Sequence, residues 1–212
     1  MSPPANRSRN QRKSKSAQFK AAAPKSGQLR IIAGQWRGRK LPIADVTGLR
    51  PTGDRLRETL FNWLQTAVGG AHCLDLFAGT GALGFEALSR HARSATLVEP
   101  NASAFRALQV SAQTLGIEDS ASLRLSLCTA QAFLSNNEQA FDVVFVDPPF
   151  SEALQWPILS QLAAGHLQND ALVYVEAPAS QSAPPQWPAG LNLIKDRKLG
   201  DVQARLFNFT AL

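Results

Sequence analysis

The chain has 212 residues, 44% of them hydrophobic, which is enough for one globular domain with a substantial core and an appendage. No run of 18 or more apolar residues occurs and the N-terminus lacks the apolar centre of a secretory signal, so a membrane span is not expected and a cytoplasmic location is. The formal charge of +6 hides an asymmetry: eleven of the 22 basic residues precede the first acidic residue, Asp45, leaving eleven basic against sixteen acidic residues for the rest. A basic arm on a mildly acidic body gains affinity for a polyanion by releasing counterions, which points to nucleic acid as partner.

Residues 1–27 are rich in Ser, Asn, Gln, Lys, Arg, Ala and Pro, with Phe19 the only aromatic, and are expected to be a disordered basic tail. A second unit, residues 28–68, opens with LRIIAGQWRGRKL (Leu29 to Leu41), read as two short strands around Gly34 and Gly38. Trp36 stands there among Arg30, Arg37, Arg39 and Lys40, either to stack on a base or to anchor the hairpin to the main body. In RPTGDRLRETLFNWL, apolar spacing at Leu56, Leu60, Phe61 and Leu64 predicts an amphipathic helix capped near Thr52 or Asp54. Arg50, Arg55 and Arg57 lie on its polar side, as contacts to cofactor or RNA phosphate or as ordinary solvated charges.

From residue 69 to 212 short apolar runs alternate with helical stretches, the pattern of an α/β Rossmann-like sheet that is mostly parallel with helices on both faces. Strands are expected at His72–Phe77, Ala95–Glu99, Leu123–Leu127, Phe141–Asp147 and Ala171–Glu176, and helices over 83–91, 101–115, 129–135 and 153–164. Leu191–Arg197 and Val202–Phe209, joined across Gly200 and Asp201, are close enough for a hairpin, which implies an antiparallel last strand. Cys73 and Cys128 sit in apolar runs and are expected to be buried and reduced, and His72, His91 and His166 show no metal-ligand spacing, so no metal is expected.

In LDLFAGTGALGFEAL, Asp75 closes a strand and Phe77, Ala78, Gly79, Thr80, Gly81 and Gly84 form the turn that opens a helix. Gly79, Gly81 and Gly84 satisfy GxGxxG, and Glu99, followed by Pro100, lies 20 residues after Gly79 at a strand end suited to ribose hydroxyls. That much also fits a dinucleotide. A carboxylate in the turn suits the cationic sulfonium and amino group of S-adenosylmethionine better than a pyrophosphate, so Asp75 favours the former.

FDVVFVDPPF ends a strand in Asp147, Pro148, Pro149 and Phe150, at the edge where open α/β sheets bind ligands. The exocyclic amine of a base is a poor nucleophile because its lone pair is delocalised into the ring. Acceptors on both amine hydrogens, the Asp147 carboxylate and the Pro148 carbonyl, favour the tetrahedral form, while the prolines stiffen the turn and remove competing N–H groups. Phe150 offers a stacking face for a base rotated out of its strand. Glu176, Trp156 and Trp187 attract notice by type, but their spacing gives them no role.

With these residues read, RIIAGQWRGRKL, LRPTGDRLRETLFNWL, LDLFAGTGALGFEALSR, LVEP and DPPF, in that order, resemble the class I S-adenosylmethionine-dependent methyltransferases of the RsmD type, the bacterial 16S ribosomal RNA guanine-N2 methyltransferases, over about residues 28–210. The resemblance implies a sheet of about seven strands, S-adenosylmethionine, methyl transfer to guanine N2 and a substrate presented in a partly assembled small-subunit particle; a monomer is expected. It also implies an adenine contact after the third strand, often an Asp or Asn. Here that region reads Leu127, Cys128, Thr129, Ala130, leaving Thr129 and Ala130 with main-chain groups. An amino-methyltransferase acting on another base or on DNA, a non-catalytic RNA-binding assembly factor and a nicotinamide oxidoreductase are the alternatives, the last lacking a Tyr–Lys or His proton relay.

Overall fold

The computed structural model describes residues 27–44, 53–184 and 186–211. The expectations placed on residues 1–26, Arg50 and Thr52 lie outside them. Among the described residues no helix is long and apolar enough to cross a membrane.

The N-terminal hairpin pairs β1 (Gln28–Arg30) with β2 (Lys40–Pro42) antiparallel, Leu29 opposite Leu41, and both leucines are buried. Helix α1 (Asp54–Trp63) follows, started by Gly53 with no side-chain cap. The expected cap at Asp54 is not formed, because its carboxylate is taken by Arg57 Nη2 at 2.7 Å and Arg30 Nη2 at 3.1 Å.

The main sheet then alternates β3 (His72–Asp75), α2 (Ala82–Ser89), β4 (Ser94–Val98), α3 (Ala102–Leu115), β5 (Leu123–Ser126), α4 (Ala130–Ser135), β6 (Phe141–Val146), α5 (Gln155–Ala163) and β7 (Leu167–Pro178). It closes with β8 (Leu191–Leu199) and β9 (Val202–Phe209). The strand order is β5-β4-β3-β6-β7-β9-β8. The first five of these neighbours are parallel, and β9 runs antiparallel between β7 and β8, as the short link across Gly200 and Asp201 requires. Strand β7 starts four residues earlier than the apolar run suggests: Leu167 pairs with Phe141, and the register shifts before Val143 meets Leu172.

Period-two alternation sorts the strand side chains into two cores. Cys73, Leu97, Phe145 and Tyr174 face α1, α2, α3 and the hairpin, with the Phe61 ring 6.0 Å from Phe145. Leu74, Val98, Val146 and Val175 face α4 and α5. Cys73 is buried, and burial pushes its thiol up to about 12. Cys128 departs from expectation, being only half-buried, with Ser126 Oγ 3.2 Å from its sulfur.

The hairpin is fastened to α2 through Glu86 and Ser89. Glu86 is fully buried and accepts the Ile32 and Ala33 amides at 2.8 and 3.0 Å, and Arg90 Nε at 2.8 Å. Ser89 donates its hydroxyl to the Ala33 carbonyl at 2.6 Å and accepts the Trp36 amide at 3.0 Å. Gly34, at φ +81°, approaches so closely that a Cβ would sit 1.8 Å from the Ser89 carbonyl oxygen.

Candidate active site

Continuing each strand of the α1–α3 face to its carboxyl end places one acid per strand. Glu99 follows Leu97 by two residues on β4, Asp75 follows Cys73 on β3, Asp147 follows Phe145 beyond β6, and Glu176 follows Tyr174 on β7. Because β4, β3, β6 and β7 are consecutive neighbours, the four carboxyl groups form a row along one edge. All four line a single cleft of about 1370 Å³.

Two members of the row are held by backbone amides of the glycine turn. Asp75 accepts the Gly84 amide at 3.1 Å and also a backbone hydrogen bond from Phe77. Glu99 accepts Gly79 N–H at 2.9 Å through one oxygen and Asn101 N–H at 2.7 Å through the other, leaving lone pairs for a ligand. Gly79 and Gly81 take positive φ, 51° and 77°, and Gly81 starts α2. A Cβ on Gly84 would lie 2.6 Å from Leu97, so glycine is what lets α2 seat against β4. Burial pushes the Asp75 carboxyl up to about 7, opposed by the Gly84 amide and assisted by the Asp147 and Glu99 charges. Phe77, Ala78, Thr80 and Pro100 line the cleft beside them.

The Asp147–Phe150 turn lines the same cleft beside Asp75. Pro148 is buried, Pro149 is exposed, and Phe150 is an exposed aromatic, 41% accessible. Asp147 is half-buried and hydrogen-bonded to the Glu176 carboxyl, whose other partner is the Tyr174 hydroxyl, donating at 2.9 Å. Burial first, then the Asp147 charge, raises Glu176 well above the usual carboxylate range. Sequence spacing gave Glu176 no role, because its closeness to Asp147 depends on lateral register: Val146 pairs with Val175, so the next residues are neighbours. A buried carboxylate at a strand end was the one available signal.

At the third rim, Thr129 caps α4 by accepting the Ala132 amide at 3.2 Å, and Ala130 is buried beneath it. Gln131, one residue after Leu127–Ala130, lines the cleft and carries an amide side chain. Trp156 and Trp187 stay in packing roles, 5.6 Å apart, with the Arg205 guanidinium over both rings.

The basic residues separate. Arg55 lines the cleft and is exposed. Arg37, Arg39 and Lys40 are exposed on the hairpin, and Arg39 donates to the Thr114 carbonyl at 3.2 Å. Arg30 is exposed but paired with Asp54. Arg57 is not available to a phosphate: it is fully buried, donating to the Arg30 carbonyl at 3.0 Å and to Asp54, with Glu86 at 3.7 Å. Trp36 is partly buried against the core and fixed at the C-terminal end of α2, about 10 Å along that helix from the glycine turn, so it serves as the hairpin's anchor rather than as a wall of the cleft.

Comparison with known proteins agrees with this architecture. The family described as Conserved hypothetical protein 95 matches residues 29–208. Ribosomal RNA small subunit methyltransferase D of Escherichia coli strain K12 is 45% identical over 183 residues, covering 86% of this chain and 90% of that protein. The solved structure of Escherichia coli yhhF superimposes with a TM-score of 0.80 at 42% identity, covering 88% of this chain and all of that one. A more distant solved protein, SMU.776 complexed with SAH, is 14% identical with a TM-score of 0.65 over 88% of this chain and 57% of its own, and shares the fold alone. By the extent of the family match and the identity to its relatives, the chain belongs to the Conserved hypothetical protein 95 family, the RsmD family whose motifs it carries.

Proposed function

We propose that this protein transfers a methyl group from S-adenosylmethionine to the exocyclic N2 of a guanine in small-subunit (16S) ribosomal RNA. The observation that carries the reading is the shared cleft: the Asp147–Phe150 turn lines it together with the glycine turn and Glu99, in a chain 45% identical to a ribosomal RNA small subunit methyltransferase D.

The residues present fit the cofactor. Glu99 keeps acceptor capacity for ribose hydroxyls, Gly79 and Gly81 bring backbone close to the ligand space, Asp75 offers negative potential for an amino group or sulfonium, and Gln131 and Thr129 supply polar groups on the rim. When bound, S-adenosylmethionine supplies a methyl group already activated by its positive sulfur. The protein's part is therefore positioning and charge placement. Phe150 stacks on the base, worth about 1–3 kcal/mol, and the Asp147 carboxylate with the Pro148 carbonyl accept the two amine hydrogens, which localises the lone pair for attack. Arg55 at the cleft and Arg37, Arg39 and Lys40 on the hairpin contact phosphates of an RNA presented in a partly assembled particle.

Tritium transfer from labelled S-adenosylmethionine to small-subunit RNA, to naked DNA and to assembled particles tests the substrate class. Mapping of methylated nucleosides in RNA from cells with and without the gene tests the position. The proposal expects a missing N2-methylguanine in small-subunit RNA. Transfer to adenine N6 or to DNA instead would replace it.

A further inference from the structure

The four acids of the cleft edge do not find their donors in the same way. Asp75 and Glu99 each take two backbone N–H groups. Asp147 is followed by Pro148 and Pro149, which carry no N–H. The register brings Glu176 beside it, and the two carboxyl groups are hydrogen-bonded to each other. A hydrogen bond between two carboxyl groups requires one proton between them. Glu176 is 3% exposed whereas Asp147 is half-buried and opens to the cleft, so desolvation keeps the proton on Glu176 and the charge on Asp147. Tyr174 donates to Glu176 Oε1, which leaves the second oxygen to carry the shared proton.

We propose that Glu176 is a positioning residue: as the neutral acid it donates a hydrogen bond to Asp147, fixes one carboxylate oxygen of Asp147 toward the substrate amine, and lets that oxygen receive the proton the amine releases. The inference rests on the reading of Asp147 given above. In the step, the amine lone pair would form the new N–C bond while the methyl–sulfur bond breaks with its electron pair kept by sulfur, which leaves as a neutral thioether, and the nitrogen becomes cationic. One N–H bond then breaks with its electron pair returning to nitrogen, and the proton passes to Asp147. The pair now holds two protons and no charge, and loss of one to water restores it.

The groups facing Glu176 are few. Tyr174 lies on its own strand, Asp147 and then Asp75 on the β6 and β3 side, and on the β9 side its register partner is the uncharged Ala204. Arg55 of α1 and Lys198 and Asp201 of the β8–β9 turn line the same cleft. As pH rises through the elevated Glu176 value, the donor is lost and two like charges face each other, so turnover should fall on the alkaline side.

The test compares Glu176→Ala, Glu176→Gln and Asp147→Ala with the wild type, measuring kcat against pH, cofactor affinity by calorimetry and the protonated-carboxyl infrared band of the protein without ligands. Glu176→Gln keeps an N–H donor, so kcat near neutral pH should stay close to wild type, the alkaline fall should disappear, and part of the carboxyl band should be lost. Glu176→Ala should lower kcat by about 100-fold with cofactor affinity unchanged. Wild-type kcat in Glu176→Ala, an alkaline fall that persists in Glu176→Gln, or an unchanged infrared band in Glu176→Gln would overturn the inference while leaving Asp147 in its role. Unchanged turnover in Asp147→Ala would instead remove the reading on which it stands.

Discussion

At the residue scale, the cleft depends on carboxyl groups whose surroundings differ. Asp75 is buried and its carboxyl sits at about 7, well above the usual aspartate value. A raised value in the folded state means that the folded protein binds the proton more tightly than the unfolded chain. The resulting stability is therefore fully present below about pH 4 and is lost as pH rises through about 7. Denaturant unfolding of the ligand-free protein should show that decline, and Asp75→Asn should lessen it; an undiminished decline in the variant would assign it to another group. The glycine turn, Glu99 and the Asp147–Phe150 turn were legible in the sequence because each is a contiguous string whose chemistry follows from its own order. Glu176 was not, since its meaning comes from a strand 29 residues further along the chain that pairs in register with Asp147's strand. Gln131, which also lines the cleft, belongs to no motif that would single it out in the sequence.

At the element scale, the hairpin is held by a few buried polar bonds together with the burial of Leu29, Ile31 and Leu41. Glu86 accepts two hairpin amides and Arg90 Nε while fully buried, and its carboxylate lies 3.7 Å from the buried Arg57 guanidinium, so its removal takes a nearby counter-charge from Arg57. Glu86→Ala should cost about 3–5 kcal/mol in denaturant unfolding. Gly34→Ala should also destabilise, because its positive φ disfavours a side chain and the Ser89 carbonyl lies where the methyl would go. Amide exchange in both variants should rise first in residues 28–42; protection there equal to wild type would show that the hairpin does not depend on α2. The sequence revealed this element's strands and its basic character but put Arg57 on the solvated face. Helical spacing alone does not tell which polar residue turns inward, and here the buried partner Glu86 lies on another helix. The antiparallel β8–β9 pair was readable from the short link, whereas the early start of β7 was not, since Gln168, Asn169 and Asp170 interrupt the apolar run that ordinarily marks a strand.

At the scale of the whole molecule, cleft and hairpin together present separated chemistry: acids inside, cations outside. If Arg55, Arg37, Arg39 and Lys40 hold phosphates, RNA affinity should fall with salt at a logarithmic slope of about −0.7 per phosphate contact, and each neutralised residue should reduce that slope by about one contact. Arg57→Ala should alter stability and leave the slope alone, which separates charge used on RNA from charge used inside the fold. A slope that does not respond to the exposed residues would move the docking surface elsewhere. Single-turnover methyl transfer to small-subunit RNA with wild-type and Asp147→Ala protein tests whether Asp147 and the Pro148 carbonyl prepare a guanine N2 for methylation. Loss of transfer by at least about 100-fold with S-adenosylmethionine affinity retained is the predicted result. Transfer at the wild-type rate in the variant would contradict it.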